Sequence, residues 1–312
     1  MNACITRPIY MATPTNLFQG FFGTQAKIAL KTTTMAMAVA IGVCLGFPGS
    51  AKAQYIFTTI DVPGSTSTSA NGNSTHEISG EFDDANGDTH GFVLSKGVFT
   101  TIDIPGAFVT NVGGINASGQ LVGLYLDGAG FHGYFRSKGV NTTLDPPGSI
   151  RTFAFFLNAR GEVVGVYRDS SQTRHGFVWR KGVFTTIDVP GAAAPLGTSA
   201  IGINAHGEIV GTYVDADGDR HGFLLGKGVY ATLDVPGAIF TVAQGINNAG
   251  DIVGLYLDGD GLTTHGFVLH KGVYTTVDVP GSDWTEIYSI NEQGEIVGAY
   301  EDGDGVHGFH GT

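Results

Sequence analysis

Carboxylates at alternate positions are the first residues here that could do chemistry. Asp215, Asp217 and Asp219 stand in DADGD, Asp258 and Asp260 in DGDG, and Asp302 and Asp304 in a second DGDG. Closely spaced carboxylates offer hard oxygen ligands, and calcium is the cation they suit. The matching stretch DSSQTR (169–174) has lost most of them, and none carries the full twelve-residue calcium loop with its terminal Glu. Asp and Gly also make ordinary turns, so the same stretches read as plain loops too.

A histidine recurs before Gly and an aromatic ring, at His90, His132, His175, His221, His265 and His307. Six equivalent histidines spread around a ring lie too far apart to share one metal. Each is expected instead to bond a nearby loop carbonyl or Asp. Departures from the repeat are better candidates for a ligand. The third unit carries Arg151, Phe153 and Phe155, and the sixth carries Asp283, Trp284 and Glu286. Aromatic rings flanked by polar groups can hold a sugar or a peptide at the mouth of a fold. They can equally be a plug that improves packing. Phe156 also stands where other units have Gly or Ser.

The elements that must position these residues are repeats. The Asp of a DVPG-like element returns at Asp61, Asp103, Asp145, Asp188, Asp234 and Asp278, roughly every 43 residues. GIN-like elements end at Asn73, Asn116, Asn158, Asn204, Asn247 and Asn291. Each unit holds four short runs of β-branched and aromatic residues separated by turn residues. In the fourth, these are SAIGIN, EIVGTYVD, HGFLLGKG and VYATLDVPG. No helical period appears, and the 49 glycines follow no Gly-X-Y rule, which excludes collagen.

Four antiparallel strands per unit predict an all-β fold, a six-bladed β-propeller. One copy is split: YIFTTIDVPG (55–64) lacks its first three strands, and the last copy stops after HGF (307–309). The N-terminal strand is therefore expected to join the last blade and close the ring. Strand polarity then puts the Asp-rich loops and DVPG loops on one face. The NxxG turns and Lys96, Lys138, Lys181, Lys227 and Lys271 fall on the other.

Residues 1–53 read as a leader and residues 54–312 as the propeller domain. Lys27 and Lys31 precede the apolar run MAMAVAIGVCLGF, then small residues at Ala51 and Ala53. That order is a secretory signal, with cleavage expected after Ala53 and a secreted or periplasmic product. Cys4 and Cys44 both fall in it, so the mature chain would have no disulfide and no thiol ligand. All 28 acidic residues lie after it, against 12 of the 16 basic ones. So acidic a chain is a poor nucleic-acid binder. No membrane span is expected once the leader is removed.

In GINASGQLVGLY (114–125), GINAHGEIVGTY (202–213) and GINNAGDIVGLY (245–256), each followed by its HG-aromatic element, the chain resembles the HAF-repeat extracellular protein family of bacteria. The resemblance covers residues 55 to 309 and departs in one respect, HGF or HGY standing for HAF. It implies export and no particular activity.

No GxSxG, HExxH or sialidase-type Asp-box motif is present. The expected function is that of an exported repeat propeller. It would act as a monomeric binding or interaction module for a protein or carbohydrate partner, with calcium the one cofactor considered. The alternative is a secreted propeller hydrolase or lactonase, with or without calcium, with Asp283, Glu286 and Arg151 as its cheapest candidates.

Overall fold

The computed structural model describes residues 55–312. The leader and its cleavage point lie outside the described residues. Among the described residues no helix is long and apolar enough to cross a membrane.

The domain is a six-bladed β-propeller of six four-stranded antiparallel sheets. Blade 4 is typical. Its strands, from the axis outward, are Thr198–Ile203, Ile209–Val214, Arg220–Gly226 and Val229–Leu233. The inner strand is buried along its whole length, and the outer one is mostly exposed. That gradient is why GIN-type runs are apolar on both faces while FTT-type runs alternate with threonine. The sixth sheet takes Trp284–Ile290, Ile296–Asp302 and Gly305–Gly311, and its outer strand is Phe57–Ile60. Phe57 pairs with Gly311 and Ile60 with Gly308, so the two ends of the domain meet in one blade.

Each residue of the HG-aromatic motif has its own task. The aromatic is core: Phe92, Tyr134, Phe177, Phe223, Phe267 and Phe309 are fully buried. In blade 5, Phe267 lies across the strand from Gly254, where a Cβ would meet the Val242 carbonyl at 2.0 Å and the Phe267 ring at 2.9 Å. The glycine before it receives the next blade. A Cβ on Gly266 would sit 2.6 Å from the Val277 carbonyl and 2.7 Å from Ile287 of blade 6. Alanine at this position would force the outer strand or the neighbouring blade to shift.

The inner strand bulges at one equivalent point in every blade, leaving Asn71, Gly113, Phe155, Ile201, Gln244 and Tyr288 as the extra residue. Two-residue hairpins join the third and outer strands of blades 1 to 5. Their lysines Lys96, Lys138, Lys181, Lys227 and Lys271 have φ of 48–52°, each followed by a glycine at positive φ. Both central residues of the turn are thus left-handed, as a type I′ hairpin demands.

Candidate functional site

On the aspartate face, the repeated histidine is the centre of a clamp. Its Nδ1 lies 2.7–3.1 Å from the DVPG-type Asp of its own blade, the last blade using Asp61 from the closing strand. Its Nε2 lies 3.3–3.9 Å from the first Asp of the loop between the second and third strands. The imidazole stacks on Phe82, Tyr125, Tyr167, Tyr213, Tyr256 or Tyr300 with centroids 5.1–5.3 Å apart. Ionised carboxylates only accept, so the imidazole must supply the donors of each clamp. At His221 burial opposes the charge, but Asp234 and Asp215 outweigh it and the pKa is raised.

The first Asp of each loop is committed twice. Asp215 Oδ1 accepts the backbone N–H of Asp217 and Asp219, and its Oδ2 faces His221. Asp169 does the same with Ser171 and Thr173, in the copy that has lost its other carboxylates. Backbone N–H groups hold the Asp84, Asp127 and Asp169 carboxyls below their ordinary range. Asp217, Asp219, Asp260 and Asp304 are the second or third carboxylates of their loops, and Asp258 and Asp302 are first ones facing His265 and His307. Among the described residues no three His, Asp or Glu side chains converge as a metal site requires. The Asp-rich loops are built as turns closed on their own backbone.

Five of the six aromatic and polar candidates fall on the inner strands of blades 3 and 6, opposite one another in the ring, and Asp283 directly precedes the second of these strands. Phe153 and Glu286 occupy the same register position, as do Arg151 and Trp284. They do not form one open pocket. Phe153, Phe155 and Trp284 are buried. Phe153 stacks on Phe131 at 5.2 Å, with the Arg151 guanidinium 5.9 Å above that ring. Trp284 Nε1 donates to Glu301. Asp283 is exposed, and its backbone N–H bonds the Glu301 carbonyl. Glu286 accepts the Tyr288 hydroxyl at 2.9 Å, and burial pushes its carboxyl up to about 7. Glu81 of blade 1, unremarked in the sequence, is likewise pushed by burial to about 7 and accepts Asn111 Nδ2 at 2.6 Å.

The opposite face carries a shallow mouth of about 150 Å³ to which all six blades contribute. Asparagines rim it. Asn116 Nδ2 donates to the Asn158 carbonyl, Asn158 to Asn204, Asn204 to Asn247, Asn247 to Asn291 and Asn291 to Ser74, at 3.0–3.4 Å. Each Oδ1 also accepts N–H groups of its own turn, as Asn204 does from His206 and Glu208. The blade 1 member is thus Ser74, not Asn73. Asn73 pairs with Ile78 just as Ile203 pairs with Ile209, so it holds the isoleucine position of GIN. Phe156 lines this mouth.

On the same face a groove of about 790 Å³ runs between blades 3 and 4. Val178, Ile187, Ile209 and Leu225 floor it, and Arg160, Arg180, Lys181, Lys227 and His206 edge it. Glu162 holds both arginines, Arg160 Nη2 on one carboxylate oxygen and Arg180 Nε on the other, each at 3.0 Å. Both guanidinium groups converge over Gly207, whose Cβ position lies 3.6 Å from Arg160 Nη2 and 3.7 Å from Arg180 Nη2. Sequence reading missed this groove because its residues come from four turns and strands of two repeats. A signal existed: Arg151, Arg160, Arg168, Arg174, Arg180 and Lys181, half the cations after residue 54, fall in one unit.

No family model and no curated protein matches this sequence. Solved structures do resemble the fold. AofleA from Arthrobotrys oligospora aligns with TM-score 0.50 at 13% identity, over 81% of this chain and 85% of that one. The Aleuria aurantia lectin, a six-bladed β-propeller with a fucose recognition mode, gives 0.48 at 14%, over 81% and 93%. An inactive variant of virginiamycin B lyase from Staphylococcus aureus, solved with quinupristin, gives 0.48 at 12%, over 83% and 100%. At these identities the likeness concerns architecture alone. By its strand order the described chain is a six-bladed β-propeller.

Proposed function

We propose that the chain is an exported binding module that engages a partner in the groove between blades 3 and 4. The observation that carries this is the break in symmetry there. On the aspartate face every repeated His and its two Asp neighbours are engaged in the same clamp, blade after blade. The groove instead gathers unlike residues from two blades around open volume, as ligand sites do. The hydrolase alternative draws support from the raised carboxyls of Glu81 and Glu286. Glu81, however, is only 3% exposed, and Glu286 already holds Tyr288. A general acid must reach its substrate.

The test is a panel of neutral and acidic oligosaccharides and peptides, with the footprint of any binder read by hydrogen exchange. Protection is expected in the turns at 158–162 and 204–208 and the hairpin at Lys181. Protection confined to the aspartate face, or no binder in the panel, overturns the proposal.

A further inference from the structure

We infer that the groove between blades 3 and 4 takes an acidic peptide segment of a partner protein. The inference rests on the binding reading above and names the ligand class.

Charge is the first argument. The domain is strongly acidic, yet this groove is edged by Arg160, Arg180, Lys181 and Lys227. Two carboxylates share the lining, Glu162 and Glu208. Glu162 is committed to the two arginines, and Glu208 accepts Asn204 Nδ2 at 2.7 Å. Glu162 works as a brace: its side chain is 18% exposed, whereas those of Arg160 and Arg180 are 55% and 44% exposed. The brace fixes two planar forks side by side, and both stay substantially exposed. That is a preformed receptor for carboxylates, which guanidinium forks bind bidentately. At physiological ionic strength the Debye length is about 8 Å, so the distant aspartate face does not cancel this local field.

The floor decides between ligand classes. Val178, Ile187, Ile209 and Leu225 are aliphatic, and no Phe, Tyr or Trp is among the groove's lining residues, whose one ring is the His206 imidazole at the edge. Carbohydrate sites lean on aromatic faces for the apolar side of the sugar, whereas aliphatic floors suit Leu, Ile or Val side chains. The occupant is therefore a peptide that alternates acidic and aliphatic residues. Lysines at the two hairpins, Lys181 and Lys227, extend the cationic edge along its path.

The experiment uses the purified full chain and a short fluorescein-labelled peptide of alternating Glu and Leu, read by anisotropy. A Gln–Leu analogue and an oligogalacturonate are competing probes. Binding of the Glu–Leu peptide is expected to weaken by about tenfold or more between ~25 and ~300 mM salt. It should weaken by at least about tenfold again in Arg160→Gln/Arg180→Gln. Both arginines are surface residues, and an unchanged melting curve confirms that the variant folds. Lys227→Gln alone, in an exposed hairpin, should give a smaller loss of the same sign. Equal binding of the Gln–Leu analogue at this groove overturns the acidic ligand and leaves the binding reading standing. Displacement by oligogalacturonate alone reassigns the groove to an acidic glycan. Salt-sensitive self-association abolished by the arginine variant makes the occupant a second copy, docked by its own aspartate loops, and overturns the separate partner. Absence of any groove binding removes both readings.

Discussion

Asn291 and Ser74 mark the one gap in the asparagine ring: Asn291 Nδ2 donates to the Ser74 carbonyl at 3.4 Å, and Ser74 has no amide to pass the bond on. The other four links run unbroken from Asn116 to Asn291. The blade 1 turn is also one residue shorter, since Asn73 pairs with Ile78 where Ile203 pairs with Ile209. Replacing residues 74–77 with the blade 4 turn, NAHGE (204–208), should restore the amide and its local bonds and send a donor to the Asn116 carbonyl. A net intramolecular hydrogen bond is worth about 1 kcal/mol. The graft is expected to raise the denaturation midpoint by that order. A lowered midpoint would show that the gap is a fitted feature of the closing seam.

How far this architecture could be read from the chain differs from residue to residue. Strand number, blade number and ring closure follow from periodic motifs and from the split copy, because both are visible in one dimension. The clamp partner of each His was half legible. An Asp or carbonyl was expected, but that the same ring touches two aspartates depends on how the loops fold. The left-handed lysines could not be read from composition, since Lys is an uncommon residue in that conformation. The groove and the raised carboxyl of Glu81 were invisible for a different reason. Burial and convergence are properties of two blades at once, and no spacing within one repeat encodes them.

Glu81 makes the stability depend on pH in an unusual direction. Burial lifts its carboxyl from an ordinary 4.5 to about 7, so between those values the folded state holds a proton that the unfolded state has released. Stability from this group is complete below about 4.5 and declines as pH rises through 7. A shift of this size corresponds to roughly 3 kcal/mol. The raised pKa of His221 acts in the same sense, because its charged form is favoured in the fold. The melting midpoint is expected to be higher at pH 5 than at pH 8. Glu81→Gln should flatten that slope and stabilise the protein at pH 8. A wild-type midpoint that rises from pH 5 to pH 8 would contradict the assignment.

Calcium should leave the melting curve unmoved. The Asp215 carboxylate already serves two backbone N–H groups and His221, and the DSSQTR copy folds the same way with one carboxylate. A metal held only by the folded state must raise the midpoint. Melts in excess calcium and in EDTA are therefore expected to coincide. A shift of several degrees that EDTA reverses would return the DxDG loops to metal binding.

Lys96 offers a stabilising substitution with a local cause. It holds φ 52° beside Gly97 at 77° in a type I′ turn, a conformation that costs most L-residues about 1 kcal/mol or more and Asn much less. No atom lies within 4 Å of the Gly97 Cβ position, so the turn is open to solvent. Lys96→Asn should stabilise by several tenths of a kcal/mol up to about 1 kcal/mol, read as a higher urea midpoint at unchanged slope. The same change at Lys138 should add independently, being in another blade. Loss of stability in both variants would mean that the lysines do more than occupy a turn.

Ring closure can be tested at one residue. Ile60 is 4% exposed and packs with Ala70, Phe92 and Val297, so it links the closing strand to blades 1 and 6 together. Its neighbour Asp61 completes the clamp of His307 at 3.1 Å, which ties the same strand a second time. Ile60→Ala removes buried methyl groups at a seam that cannot relax without parting two blades, so a loss of about 2–5 kcal/mol is expected. Asp61→Asn keeps the shape and weakens only the pairing with His307, so it should cost less. Removing residues 55–60 leaves the third strand of the last blade as an open edge. The truncated chain should then melt at a lower temperature, with hydrogen exchange fastest in residues 305–311. Equal protection of those residues in both chains would show that the ring holds without its seam.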